Sequence, residues 1–461
     1  MKTLRDPDCL LADGLNAIRE QFQVPPDFAP EVEAAAQKAA QRVPSGHRDR
    51  TDMHYVTLDP GISTDLDQAF AIEPAGSDWL LHYAIADVGF FVDPGDPLDL
   101  EAWQRGTTCY LPGAKASLYP KALSEKAASL LPDGDRAATV FAVRVAPDGG
   151  TRLEGVEKAL IRSRAKLAYE NVRDDELPAG FAEIADRVKA AEEARGAARV
   201  DPPEQEVARD AFGHFTLQLR PQTLAEQRNA TLSLATNLAV ADALWQAQTG
   251  LFRVMPGASD HAIVRLRGTA KAFGLDWPAD MALAEFEKRL NPSDPREAAF
   301  LMAARRGGGG ASYVPFMAGE KPWHAAMAAT YCHITAPLRR LADRHVIAAA
   351  MAVANGQPVP DFAADAFPLL PKVMAKAEAR DNQVDRAVVD LAEAVMLSGR
   401  EGERFAAVVT DLGEAGARIQ LCEHPVVSRV KANGVLPGEA VTVRLTRADP
   451  VRREIVFERI A

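Results

Sequence analysis

Apolar residues recur with helical spacing near the start of the chain. Leu11, Leu15, Ile18 and Phe22 fall four, three and four apart and predict one amphipathic helix. Pro25 and Pro26 end it, and the alanine-rich PEVEAAAQKAAQRV supplies a second. Two helices this close suggest either a helix-turn-helix-like unit or an inert helical arm, with GHRDRTD as the hinge beyond them. From Tyr55 the period changes. YVTL, QAFAIEP and WLLHYAIADVGFFV read as strands separated by Pro, Gly and Asp, and a DGG turn divides two further strand-like runs between Thr139 and Leu167. Helical periodicity then takes over in NATLSLATNLAVADALWQAQ, PLRRLADRHVIAAAMAVANG and PKVMAKAEARDNQVDRAVVDLAEAVMLSG. The glycine run Gly307 to Gly310 beside Arg305 and Arg306 reads as a surface loop.

The pattern shifts once more near residue 402. Four or five alternating strands in about sixty residues, with a glycine-rich turn between the first two, fit a small barrel of the OB type, a fold often used on single-stranded nucleic acid. The expected fold class is therefore α+β: a helical segment over 1–48, a mixed sheet-and-helix body over 49–398, and a C-terminal β-barrel over 402–461.

Composition narrows the function classes. Of 461 residues, 47% are hydrophobic and 25% charged, an ordinary globular balance. The first residues, MKTLRDPDCLLADGLN, lack an apolar run, which leaves no signal peptide or membrane span there and predicts a cytoplasmic protein with no membrane partner. Cys9, Cys109, Cys332 and Cys422 share no metal-ligand spacing and are expected to be reduced. Net charge is −11, from 64 acids against 53 bases, so any nucleic-acid partner must meet a local basic channel inside an acidic exterior.

The chemistry concentrates in TLDPGISTDLDQAF, where Asp59, Asp65 and Asp67 lie within nine residues at a Pro-Gly turn entering a strand. Asp65 and Asp67 share parity, so in an extended segment they point the same way. Converging carboxylates repel unless a cation sits among them, and hard oxygen donors select Mg²⁺, with Mn²⁺ as a substitute. The other reading of this string is loop chemistry with solvated acids, and an acidic Ca²⁺-binding or phosphotransferase loop is a third.

The string resembles the opening of the catalytic domain in the ribonuclease II family. The resemblance continues in order through HYAIADVGFFVDPGDPLDLEAWQRGTTCYLPG, LYPKALSEKAASLLPDGDRAA and IRSRAKLAYENV, and returns in YCHITAPLRRLADRH. It spans roughly residues 50–395, and a terminal OB barrel is the family's habitual last module. It implies a 3′→5′ exoribonuclease that hydrolyses single-stranded RNA to nucleoside 5′-monophosphates with the help of a divalent metal. Asp59, Asp65 and Asp67 would be metal-binding and catalytic acids. Tyr110 would pack on the terminal nucleotide, Tyr169 would contact RNA near the ribose, and Arg339 would grip the phosphate at the scissile bond. A guanidinium suits that last role because its donor fork meets two oxygens at once. Arg340 would be structural or a general phosphate contact, and Arg429, Lys431 and Arg444 of the barrel would hold the incoming strand. The protein is expected to act as a monomer.

Three departures from the family pattern stand out. Gln68 replaces an aspartate directly after Asp67; its amide oxygen is a candidate ligand without charge. Ala230 and Thr231 stand where paired glutamates are usual. Longer members also carry two cold-shock-type domains ahead of the catalytic body, and the short helical segment here leaves no room for them. The second stacking aromatic has only Phe212 and Phe215 as candidates by neighbourhood. Gln68 and the missing glutamates sustain an alternative, a degenerate member that binds RNA without cleaving it.

Overall fold

The computed structural model describes residues 2–3, 10–132, 134–197, 204–209, 215–220, 222–291, 294, 296–297, 300–301, 303–304, 310–413, 416–431, 434–436 and 438–460. Its centre is a seven-stranded sheet of β1 (Arg48–Asp49), β2 (Tyr55–Asp59), β3 (Gln68–Ala75), β4 (Asp78–Ala86), β5 (Arg136–Val145), β6 (Thr151–Ile161) and β7 (Ser163–Ala168). The order across the sheet is β7-β2-β3-β4-β5-β6-β1, parallel at both outer pairings and antiparallel between. In β4 Leu81, Tyr83 and Ile85 are buried on one face and Ala84 and Ala86 on the other. Both faces are therefore covered.

The strand expected across WLLHYAIADVGFFV is shorter than its apolar run. The ladder ends at Ala86, and Val88–Phe91 forms a helical turn. The break falls at Asp87, whose buried carboxylate meets His47 at 3.1 Å and Lys158 at 3.3 Å. Beyond the sheet come α3 (Leu224–Gln246), α4 (Leu341–Ala354) and α5 (Leu370–Leu397). Helix α3 starts earlier than NATL suggests, because Thr223 and Glu226 form a reciprocal capping box.

Helix α5 has 28 residues, so it is about 42 Å long, and it is the spine of the molecule. Leu370 and Met374 join the main core around the sheet; Val384, Val388 and Leu391 form a second core; Leu397 enters the barrel. The N-terminal helices α1 (Leu10–Gln21) and α2 (Pro30–Ala39) are part of this body. Leu11, Leu15 and Ile18 of α1 pack on α5. A side chain at Gly14 would come within 2.6 Å of Leu391, which is why glycine sits mid-helix there. Helix α2 packs separately, on the helix Pro97–Arg105.

The tail folds as a closed five-stranded barrel, β8 (Arg404–Gly413), β9 (Gly416–Leu421), β10 (Val427–Lys431), β11 (Ala440–Asp449) and β12 (Glu454–Arg459), in the order β8-β9-β10-β12-β11. It sits on the end of α5, where the buried Glu393 carboxylate accepts a hydrogen bond from the Val427 N–H at 2.9 Å. Arg453 also reaches back to Gln21 of α1. Among the described residues no helix is long and apolar enough to cross a membrane. Cys109 and Cys332 are buried free thiols and Cys422 is an exposed one. Cys9, Arg305, Arg306, Gly307 to Gly309, Phe212 and the Phe215 side chain lie outside the described residues.

Candidate active site

Asp59 is the last residue of β2, and the loop that follows carries Asp65 and Asp67 to the first residue of β3, Gln68. The three carboxylates line one cleft of about 530 Å³ together with Gln68, Tyr110, Tyr169, Arg339 and Arg340. Residues that stand up to 281 positions apart are brought together by two pieces of backbone. Tyr169 follows β7, whose parallel pairing with β2 places Ala168 beside Asp59. Tyr110 follows the segment Gly106–Thr108, which pairs with the segment Arg339–Leu341: the Thr108 N–H donates to the Arg339 carbonyl and the Leu341 N–H to the Gly106 carbonyl, both at 3.0 Å. Gly106 has φ +73°, and a side chain there would come within 2.8 Å of Ala377, so only glycine turns the chain this close to α5.

The turn Thr335–Arg340 is held from three sides. Asp67 Oδ1 accepts from the Leu338 N–H at 2.7 Å, Asp343 Oδ2 from the Ala336 N–H at 2.8 Å, and Gln68 Nε2 donates to the Thr335 carbonyl at 2.6 Å. This anchoring fixes where Arg339 leaves the backbone, just ahead of α4. The Arg339 side chain stays 44% exposed and points its Nε toward Asp67 Oδ2 at 3.6 Å. That is an ion pair, too long for a hydrogen bond.

The acids are under-compensated. Asp67 is only 6% exposed, and burial pushes its carboxyl up to about 8, against the opposing pull of Arg339 and the Leu338 N–H. Burial also pushes Asp59 up to about 7; Arg339 and Lys166 pull it down, while Asp65 pushes it further up. A buried carboxylate with this little local compensation favours a proton or a cation. Asp65 is served differently: Lys115 Nζ lies 2.8 Å from its Oδ1.

Gln68 takes a position other than the one expected, and Arg340 takes the structural one of its two expected roles. Gln68 Oε1 accepts hydrogen bonds from the Tyr83 hydroxyl and, at 3.0 Å, from the Ser233 hydroxyl. Both lone pairs are engaged, so Gln68 is a strut of the cleft wall and not a free ligand. Arg340 is half-buried and bidentate on Asp343, at 2.9 to 3.2 Å, which spends its guanidinium on the turn instead of on a phosphate. Tyr110 is 47% exposed at the cleft mouth, and burial of its hydroxyl pushes its pKa up against the opposing pull of Arg339. The Tyr169 hydroxyl is fixed by Asn229 Nδ2 at 2.8 Å. Ala230 lines the cleft and brings no charge to it. Thr231 is buried, with its hydroxyl bonded back to the Gln227 carbonyl.

Arg429, Lys431 and Arg444 lie on exposed faces of barrel strands and do not line the cleft. Arg429 is opposite Arg418, while Lys431 and Arg444 flank Glu458 in register, and Arg444 is ion-paired with Glu458. Sequence reasoning missed Lys115, Asn229 and Ser233. The signal for Lys115 was present, since a Pro-Gly turn after Tyr110 puts residues 110 and 115 opposite each other in a hairpin. Asn229 and Ser233 had none beyond their four-residue spacing.

The donor set, one buried and one part-buried carboxylate with raised pKa values, fits a hard divalent cation. Even so, no three described His, Cys, Asp or Glu side chains converge closely enough to enclose one, and Lys115 accounts for the third acid. Asp59 and Asp67 would therefore hold such an ion first.

Comparison with known proteins extends this geometry. Residues 47–352 match the RNB domain, and residues 403–460 match the RNase II-type exonuclease C-terminal S1 domain. Ribonuclease R of Aquifex aeolicus is 26% identical over 458 residues, covering 93% of this chain and 64% of that protein. The chain thus spans less than two thirds of that relative's length. Among solved structures, Mycoplasma genitalium RNase R in complex with ribose methylated single-stranded RNA superposes with a TM-score of 0.87 at 20% identity, over 100% of this chain and 79% of that one. Yeast Ssd1, a pseudonuclease, superposes with a TM-score of 0.69 at 16% identity, over 96% of this chain and 59% of that one.

Proposed function

The chain belongs to the RNB domain family, and from that premise we propose that it is a metal-dependent exoribonuclease. It would digest single-stranded RNA from the 3′ end and release nucleoside 5′-monophosphates. The observation that carries the reading is the meeting of Asp59, Asp65, Asp67, Tyr110, Tyr169 and Arg339 in one cleft. Bound Mg²⁺ would supply a positioned water and charge neutralisation at the phosphate.

The chain's own residues set up the rest. Tyr110, half-exposed at the mouth, offers a face for the terminal base, and its cross-strand hairpin is pinned to the Arg339 backbone, so base and phosphate are held in one frame. Arg339 is exposed at its tip and anchored at its root, and would meet the non-bridging oxygens as charge builds on them. Tyr169, locked by Asn229, presents a fixed hydroxyl on the ribose side. The barrel would add phosphate contacts through Arg429, Lys431 and Arg444. This reading carries with it a monomer working on RNA in the cytoplasm, which gel filtration and cell fractionation check.

A second reading is favoured by Gln68, by the neutral Ala230 and Thr231, and by the lysine on Asp65: a member that binds RNA without cutting it. One experiment separates the two. Single-stranded RNA labelled at its 5′ end is incubated with the protein and Mg²⁺ or Mn²⁺, with and without chelator. A ladder shortening from the 3′ end, with mononucleotide release that the chelator stops, is expected. Retarded but intact RNA would select the binding protein.

A further inference from the structure

Lys115 is the cross-strand partner of Tyr110 in the hairpin Cys109–Leu111/Ala114–Ala116, so both side chains leave the same face of it. Its ammonium has two carboxylates in reach: Asp65 at 2.8 Å and Glu125 at 3.2 Å. The two acids lie on opposite sides of a partition. Asp65 lines the cleft described above, whereas Glu125, on the short helical turn Leu123–Ala127, lines a neighbouring cleft of about 790 Å³ that Lys115 also borders. All three side chains are about one-fifth exposed or less, so their charges are weakly screened.

We infer that Lys115 is a resident counter-ion that occupies Asp65 until a divalent cation takes that carboxylate, and that Glu125 receives the displaced ammonium. The inference rests on the metal-dependent reading of the cleft. It accounts for two observations together. The three aspartates do not converge as a metal-binding group among the described side chains, because the third is held by an internal cation. And a lysine is used here where an arginine would lock: its single flexible charge moves between partners less than 4 Å away without redrawing a planar bidentate pair. With Gln68 in place of a further acid, the cleft has fewer negative charges with which to outcompete that lysine, so cation affinity in this chain is set largely by the cost of moving it. Lys115 and Glu125 are thus positioning residues: neither touches substrate, and both act through Asp65.

The test is Mn²⁺ binding to the RNA-free, full-length protein, read from the electron paramagnetic resonance signal of the free ion. Lys115→Met should tighten Mn²⁺ on the order of tenfold, the lower end of what a partner behind the ligands is worth. Glu125→Gln should weaken it several-fold, because the displaced ammonium then has no second carboxylate. The double variant should match Lys115→Met alone, since Glu125 acts only through the lysine. Lys115→Arg, which keeps the hairpin's charge and length, should not tighten binding, and this variant guards against a folding defect in Lys115→Met. Affinity unchanged or weaker in Lys115→Met, or a Glu125→Gln effect that persists undiminished in the double variant, overturns the inference. Asp65→Asn distinguishes the two levels: if it leaves Mn²⁺ binding intact, the metal reading of Asp65 fails and the lysine exchange with it. If it abolishes binding while Lys115→Met changes nothing, only the lysine exchange fails.

Discussion

The cleft and the barrel both carry charge, and they handle it in opposite ways. In the cleft, charges are few, the acids are wholly or partly buried, and each charge is individually placed; Asp67 is held through a backbone N–H on one oxygen and a distant guanidinium on the other. On the barrel, Arg429, Lys431 and Arg444 stand on exposed strands, facing solvent, and Arg444 is already paired with Glu458. Low local dielectric makes each cleft charge worth far more than a barrel charge, and far costlier to leave unmatched. Single substitutions in the cleft should therefore act as switches, and those on the barrel as slopes.

The sharpest break is Asp67→Asn. Cleavage should fall by at least ~10²–10³-fold, the scale of removing one preorganised electrostatic group, while RNA affinity stays near that of the parent. The Leu338 N–H keeps its acceptor, because an amide oxygen can replace Oδ1, so the turn should survive. A stability signature should accompany the loss. With its carboxyl at about 8, Asp67 in the folded protein keeps a proton that the unfolded chain releases near pH 4. The folded state binds more protons across that window, so metal-free stability declines as pH rises from about 4 to about 8 and then levels off. Asp67→Asn removes this decline in part, Asp59 still contributing, so melting temperatures of the two proteins should diverge between pH 5 and pH 8 in favour of the variant. Parallel curves would show that Asp67 is not buried as a strained acid.

Next in size is Arg339→Ala. The side chain is the positive group common to Asp59 and Asp67, lowering the pKa of both. Its loss should lower kcat by ~10²-fold, with a smaller change in KM, if it acts on the developing charge. A rise in KM alone would make it a simple phosphate tether. Arg340→Ala makes the contrast: it leaves Asp343 buried without its guanidinium partner and should lower melting temperature before anything else.

What was legible in the chain divides along the same line. The barrel, the central strands and the three long helices follow from periodicity, since each element's pattern is local. The acids, Tyr110, Tyr169 and Arg339 were found because their flanking motifs are short and contiguous. The role of Gln68 was not legible, because it depends on partners far along the chain, and the two roles open to Arg340 could not be separated. Tyr83, Ser233 and Thr335 engage both ends of the Gln68 amide, and no spacing rule connects them. Asp343 is only three residues from Arg340, yet the same i,i+3 spacing serves surface pairs equally well. The N-terminal helices were read correctly as helices, but the burial of α1 against α5 was visible only in Gly14, whose lack of a side chain makes sense once Leu391 is seen beside it.

Gln68 offers a smaller test within the cleft. Gln68→Leu would leave the buried Tyr83 hydroxyl and the Thr335 carbonyl without this partner, at a cost of about 1–3 kcal/mol. Because the amide is a strut, the loss should appear in chemical denaturation, and the Mn²⁺ concentration at half-saturation should move by no more than about threefold. A shift on the order of 10–100-fold, as for a lost ligand or a partner behind one, would restore Gln68 to the metal site.

The mildest effects belong to the barrel, and they should be ordered by pairing. Lys431 and Arg444 both flank Glu458, but Arg444 is bound to it, while Arg429 lies beside Arg418 on β9 with like charge across the ladder. If these strands hold RNA, each cation that neutralises a phosphate releases a counter-ion, and its removal lowers the salt dependence of binding by about one unit of slope. Arg429→Ala should show that full loss. Arg444→Ala should show less, since part of its charge is spent on Glu458 before RNA arrives. Glu458→Gln should move the other way, tightening binding by freeing Arg444 and removing a negative charge between two cations. Binding of a non-cleavable single-stranded RNA, measured at several salt concentrations for the three variants, ranks them. Equal slopes for Arg429→Ala and the parent would take this face of the barrel out of the RNA path and leave its contact with α5 and Gln21 as its main contribution.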